Sequence, residues 1–464
     1  MSLDPLFLSR LQFAWVVAWH FLLPAFTVGL ASYIAVLEGL HLATGRDIYF
    51  RVSTFWIKIF AVSFGMGVVS GITMPFQFGT NWSRYSDKVA DVVSPLLAYE
   101  GLTAFFLEAA FLGVLLFGRN LVPRWAHFFA ALMVALGTLF STFWILAVNS
   151  WMQTPAGYEM ADGRFQPANW IAIIFSPSFP YRFAHTVTAV YITTGFVVAG
   201  VGAYYLLRQR FFEEARLMLS MTLWVLSVLV PLQLFIGDAH GLNTLEHQPA
   251  KLAAIEGIWD TGSRLPWVVF AIPDDKAAMN HDEIAIPDVG SLILTHRLDG
   301  TVKGLKDFPP EDRPPVAIPF FGFRIMVAIW GVMALVVVLS WWLRLKDRLF
   351  DSEWYLRLCT LASPLGFAAV LAGWATTEVG RQPWTVYGVL RTADSVTPSI
   401  TGFDVLLSFA AYSLVYLLMF AAGVALILRI MRGGPAQAES FEEIEAGRPR
   451  QPATAMPHTE GGLP

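Results

Sequence analysis

Apolar runs of about twenty residues recur along the chain, and the polar connections between most of them are short. A bilayer core takes ~20 helical residues to cross. Runs of that length lie at 14–37, 54–77, 95–117, 125–148, 184–207, 218–237, 320–343, 358–379 and 403–429. The pattern predicts an all-α integral membrane protein of about nine transmembrane helices with one long extracytoplasmic loop. The chain then divides into helices one to six over 1–237, the loop over 238–319, helices seven to nine over 320–432 and a tail over 433–464. The Glu, Pro and Gln content of the tail predicts disorder.

An odd number of spans puts the two ends on opposite sides. Arg46, Arg51, Arg119, Arg124, Arg208, Arg210, Arg216, Arg344, Lys346, Arg348, Arg357, Arg429 and Arg432 fall on one side. The opposite short segments carry fewer: Arg10, Arg84, Lys88, Arg164, Arg182, Arg381 and Arg391. The basic side faces the cytoplasm, so the N-terminus is expected outside and the C-terminus inside. The first run follows Arg10 without a small-residue cleavage site, and is expected to stay as a helix.

Composition agrees: 56% of residues are hydrophobic, 14% are charged and the mean hydropathy is +0.55. A net charge of -4 supplies no basic excess for a nucleic-acid partner. The single cysteine, Cys359, excludes an internal disulfide and a thiolate cluster. Histidine, methionine and carboxylate remain as ligands for haem or a hard metal.

Against this background, ionisable residues in apolar runs need a reason. Glu378 ends one such run in GWATTEVGRQPW. His20 and His185 lie inside or at the end of spans, and His127 is near a helix start. Each reads equally as a haem ligand or as a histidine bonded to a neighbouring helix. Glu100 and Glu108 in YEGLTAFFLEAA are about 12 Å apart along a helix and about 80° around it, so they share a side. They suggest a proton or cation path, or a pair held by a cation such as Lys58. Arg324 stands two residues before Met326 in FGFRIMVAIW. A methionine there is ordinarily packing, but with a histidine at matching depth it makes a low-spin haem pair, and an arginine nearby can hold a propionate. In the loop, Lys251 and Glu256 of KLAAIEG are five residues apart and leave a helix on different faces, either solvated or binding a polar headgroup and taking its protons.

SRLQFAWVVAWHF, MPFQFGTNWS, YEGLTAFFLEAAF, WILAVNSWMQTP, FAHT, KLAAIE, FRIMV and GRQPW, in this order over nearly the whole chain, resemble subunit I of the cytochrome bd-type quinol oxidases. The loop resembles the short form, which includes cyanide-insensitive members. The resemblance implies a bacterial cytoplasmic-membrane protein that oxidises quinol outside and reduces O2 to water with cytoplasmic protons. It implies His185 and Met326 as ligands of a low-spin haem b, and His20 and Glu378 as ligands of two high-spin haems, haem b and haem d or haem b in both. Glu100 and Glu108 match carboxylates of the proton route, and Lys251 and Glu256 match residues of quinol oxidation. Arg324 and Arg381 match positions near propionates, and Trp374 an aromatic position between haems. The implied partners are a second large membrane subunit, a small single-span subunit, ubiquinol, O2 and the lipid bilayer, with no nucleic acid. A proton- or cation-coupled transporter and an assembly subunit are the rival readings, and the first predicts no pigment.

Overall fold

The computed structural model describes residues 4–435; the expected disordered tail lies almost wholly outside the described residues. Among the described residues, nine helical segments are long and apolar enough to cross a membrane. The first is α1 (Pro5–Leu22) continued by α2 (Pro24–Thr44). Pro24 starts α2, where its missing N–H would be unpaired anyway, and Gly45, in the left-handed region at φ 69°, ends it.

The second and third spans are α3 (Asp47–Thr80) and α4 (Ser83–Glu100), the latter continued through a π-turn at Gly101–Phe105 into α5 (Phe106–Phe117). The fourth is α6 (Arg124–Gln153). A hairpin of β1 (Tyr158–Ala161) and β2 (Arg164–Pro167), with Tyr158 opposite Pro167, and α7 (Trp170–Ile174) lead to α8 (Phe179–Leu207) and α9 (Phe212–His247).

The sixth span thus runs ten residues past the expected end at 237. GDAHG, which reads as the opening of a loop, is helical. The long connection starts only at Gln248 and is folded. It holds α10 (Pro249–Glu256), β3 (Gly262–Ser263), the antiparallel pair β4 (Trp267–Asp274) and β5 (Met279–Ile286), α11 (Val289–Thr295), and β6 (Thr301–Val302), which pairs with β3. Leu252, Ala253, Ile258, Trp259, Val268 and Leu305 form its small core against Phe320.

The seventh span is α12 (Ala317–Leu345), and the eighth is made of α13 (Glu353–Ala362) and α14 (Leu365–Val379). After the short pair β7 (Trp384–Val386) and β8 (Leu390–Arg391) comes the last span, α15 (Gly402–Gly433), opened by a capping box of Thr401 and Asp404.

The main core lies between α2, α3, α8, α9 and α13, where Leu30, Trp56, Phe60, Phe196, Leu226 and Tyr355 are buried. Helix α2 meets α8 closely at Gly29: a Cβ there would lie 2.3 Å from Thr194 Oγ1. Such small-residue contacts hold helices together where lipid removes the hydrophobic drive. Phe106, Val228, Leu335 and Leu407 stay exposed on the outer faces, as lipid-facing residues do. The chain is a multi-pass membrane protein.

Candidate functional site

Glu378, at the end of α14, is the centre of a polar cluster under the loop. Asn149 and Gln153 are four apart on α6 and so share a face; each donates its side-chain amide to Glu378 Oε1, at 3.1 and 3.2 Å. Arg381 pairs with Oε2, and Arg182, from the first turn of α8, stands 3.9 Å from Oε1. Arg182 also donates to Ser150 Oγ at 3.2 Å and to Asn149.

Lys251 belongs to the same cluster. Its ammonium donates to Gln153 Oε1 at 3.0 Å and to Gln248 Oε1 at 3.3 Å. Its stem crosses Gly380, where a Cβ would come within 2.9 Å of Lys251 Cγ. Three basic side chains therefore surround one carboxylate, and the buried Arg381 Nε has no partner. Burial, reinforced by Arg182, pushes the Lys251 ammonium well below the ordinary lysine range.

Glu256 leaves α10 the other way. It meets Arg324 at 3.3 Å, and burial pushes its carboxyl above the ordinary range while that guanidinium opposes the shift. Arg324 also donates to Val268 O at 3.0 Å, to Ile255 O at 2.8 Å and to Phe320 O at 3.2 Å. It thereby ties α12 to the loop. Neither Lys251 nor Glu256 lies on a solvated surface.

His185 on α8 and Met326 on α12 belong to one group of packed helices, with α9 and α14 as the others. Gln233 Nε2 stands 3.3 and 3.2 Å from the two ring nitrogens of His185, and the Gln233 oxygen is buried without a partner. The bare face of Gly237 and the ring of His240, at 5.5 Å between centroids, flank the imidazole. Met326 Sδ faces Gly373, where a Cβ would fall at 2.8 Å, with Trp374 the next residue.

His20 on α1 is 2.9 Å from Ser70 Oγ through Nδ1. Ser70 already donates to Gly67 O. Its oxygen therefore accepts from His20 Nδ1, which leaves the Nε2 lone pair for a ligand. His127, in contrast, is buried between Glu38 at 3.0 Å and Leu115 O at 3.1 Å.

Glu100 and Glu108 both face α6: Glu100 accepts from Ser141 Oγ at 2.8 Å, and the stem of Glu108 lies against Gly137. The π-turn between them holds one extra residue, so eight positions act as about seven and the offset falls from about 80° to about 20°. Glu108 Oε1 is buried without a partner, and Lys58 is exposed and pairs with neither carboxylate.

From the sequence alone Arg182 reads only as a loop charge, and Asn149, Gln153, Gln248, Gln233 and Ser70 do not stand out. The available signal was the pair of amides four apart in the otherwise apolar WILAVNSWMQTP. Among the described residues no three His, Cys, Asp or Glu side chains converge as they would on a bare ion. The donors fit haem instead: isolated His and Met donors beside glycines, with a cationic excess suited to propionates.

Comparison with known proteins agrees with this donor chemistry. The family model for cytochrome bd terminal oxidase subunit I matches residues 8–435. Cytochrome bd ubiquinol oxidase subunit 1 of Bacillus subtilis (strain 168) is 37% identical over 446 residues, covering 93% of this chain and 94% of that protein. Cytochrome bd-II ubiquinol oxidase subunit 1 of Escherichia coli (strain K12) is 32% identical, covering 95% of this chain and 99% of that protein. The structure of bd oxidase from Geobacillus thermodenitrificans superposes with a TM-score of 0.87 at 28% identity, covering 94% of this chain and 100% of that one. The chain belongs to the cytochrome bd terminal oxidase subunit I family, as a subunit of a terminal quinol oxidase and not a transporter.

Proposed function

We propose that this subunit carries the haems of the oxidase and the residues that take protons from quinol. His185 and Met326 hold a low-spin haem b. His20 and Glu378 hold the two high-spin haems, haem b and haem d or haem b in both. Arg381, with its spare donor, and Arg324 would bind haem propionates, and Trp374 would serve as an aromatic neighbour on the electron path. Haem iron, when bound, supplies the one-electron chemistry that carries the electrons of quinol to O2.

The observation that carries this reading is the contact of the loop with the Glu378 cluster. Lys251 reaches within hydrogen-bond distance of Gln153, which itself holds Glu378. A quinol between Lys251 and Glu256 meets two proton acceptors. Lys251, its ammonium destabilised by burial, is disposed to accept as the amine. Glu256, its carboxyl pushed up, accepts as the carboxylate. Loss of two electrons and two protons leaves quinone.

Glu100 and Glu108 receive protons from the cytoplasm, along the face of α6 that bears Ser141 and Gly137. Protons are released outside and consumed from inside, so charge separates without a pump, with the N-terminus outside and the C-terminus in the cytoplasm. The partners are a second large membrane subunit, a small single-span subunit, and quinol of the ubiquinol class; the relatives in Bacillus subtilis and Escherichia coli, named subunit 1 of ubiquinol oxidases, support the quinol and the presence of a further subunit. Reduced-minus-oxidised spectra of Glu378→Gln and His20→Ala test the haem assignment: each variant loses one high-spin signal and keeps the low-spin one. Intact high-spin signals would refute it.

A further inference from the structure

We propose that Gln153 is a positioning residue that joins the quinol-side lysine Lys251 to Glu378, so that quinone occupancy at the loop and the haem at Glu378 sense each other. This rests on the reading of Lys251 and Glu378 given above.

Gln153 is the last residue of α6 and is fully buried. Its oxygen accepts from Lys251 Nζ at 3.0 Å and from Gln248 Nε2 at 3.0 Å, which fills both lone pairs. Its nitrogen donates to Glu378 Oε1 at 3.2 Å. The orientation of the amide is therefore fixed, because a flip would set its N–H groups against two donors and leave Glu378 facing an oxygen. Gly380 keeps the passage open, since any side chain there would strike the Lys251 stem. Glu378 is thus joined to the loop by a hydrogen-bonded route through the Gln153 side chain.

A quinone carbonyl draws the N–H donor of Lys251 away from Gln153 and removes one of the bonds that fix the amide. The remaining bond to Gln248 no longer holds the donor as firmly on Glu378. Coupling of this kind is reciprocal: the factor by which quinone changes the affinity of Glu378 for its haem is the factor by which that haem changes the affinity for quinone.

The experiment uses the intact oxidase in its oxidised state, titrated with decylbenzoquinone. High-spin haem absorption reports on Glu378, and equilibrium dialysis reports affinity independently. In the parent protein the quinone shifts the high-spin bands. Gln153→Leu removes both ends of the connection, so the shift is lost and affinity rises about 5-fold, because the headgroup no longer has to displace Lys251 from Gln153. Gln153→Glu keeps an acceptor for Lys251 but sets a carboxylate against Glu378 where a donor stood; the high-spin bands move in the absence of quinone and quinone no longer shifts them, a pattern that a general packing defect would not give. A parent protein without the shift, or a Gln153→Leu variant that retains it, would overturn the proposal. The control is Glu378→Gln without quinone. A normal high-spin spectrum there would overturn the assignment of Glu378 and the coupling with it, whereas failure of the Gln153 variants with that control intact overturns the coupling alone.

Discussion

Lys251 and Glu256 stand five residues apart on α10 and are buried in opposite directions, the first against Gln153 and the second against Arg324. One short helix of the loop therefore touches both α6 and α12. In the proposed function, a quinol headgroup beside α10 would meet Lys251 on one side and Glu256 on the other.

Lys251→Met removes one acceptor and keeps the stem over Gly380. The KM for quinol is expected to rise about 10-fold, with every haem retained and the low-spin signal unchanged, while the high-spin bands shift because the bond to Gln153 is lost. Steady-state kinetics with quinol check this, and an unchanged KM would remove Lys251 from the quinol site.

The pH dependence follows from Glu256. Its carboxyl is raised by burial and drawn down, to a lesser extent, by Arg324. Only the carboxylate accepts a proton, so kcat/KM for quinol falls as pH drops through the raised value. The acid limb lies above the ordinary carboxylate value of about 4.3. Arg324→Gln removes the opposing cation, and the limb moves to higher pH; a limb that stays put or moves lower contradicts the assignment.

Glu108→Gln keeps the shape of the side chain and removes its titration. Turnover is expected to fall by about 100-fold with all haem signals retained. Gly137→Ala supplies a steric version of the same test, since its Cβ would come within 2.5 Å of Glu108 Cγ and displace the carboxylate. Oxygen consumption with quinol measures both.

Much of this fold is legible in the sequence because membrane spans are set by length and hydropathy, which a single chain displays directly. The end of α9 is not, because Gly237, Asp238 and His240 read as polar punctuation although no proline follows until Pro249. The exact phase of Glu100 and Glu108 depends on a π-turn that leaves no clear mark in GLTAF. The loop's placement of Lys251 is a tertiary effect: spacing separates it from Glu256 but does not say that Gly380 gives it room beside Glu378. Arg182 was hidden for a similar reason, since its partners come from α6 and α14 rather than from its own helix.

Away from these sites, Glu38 on α2 is buried between Arg119 at 2.5 Å and His127 at 3.0 Å, with Arg119 also bonded to Ser53. Glu38→Ala leaves the half-buried Arg119 guanidinium without its carboxylate and His127 without that partner, which costs about 2–3 kcal/mol. Thermal unfolding in detergent is expected at a clearly lower temperature, with the haem spectrum of the surviving folded protein unchanged.

In the proposed assignment, His185 holds the low-spin haem. The most direct measurement is the reduced-minus-oxidised absorption spectrum of the purified oxidase carrying His185→Ala beside that of the parent. Loss of the low-spin haem b band with the high-spin bands retained is the predicted result; a low-spin band of full intensity in the variant would contradict it.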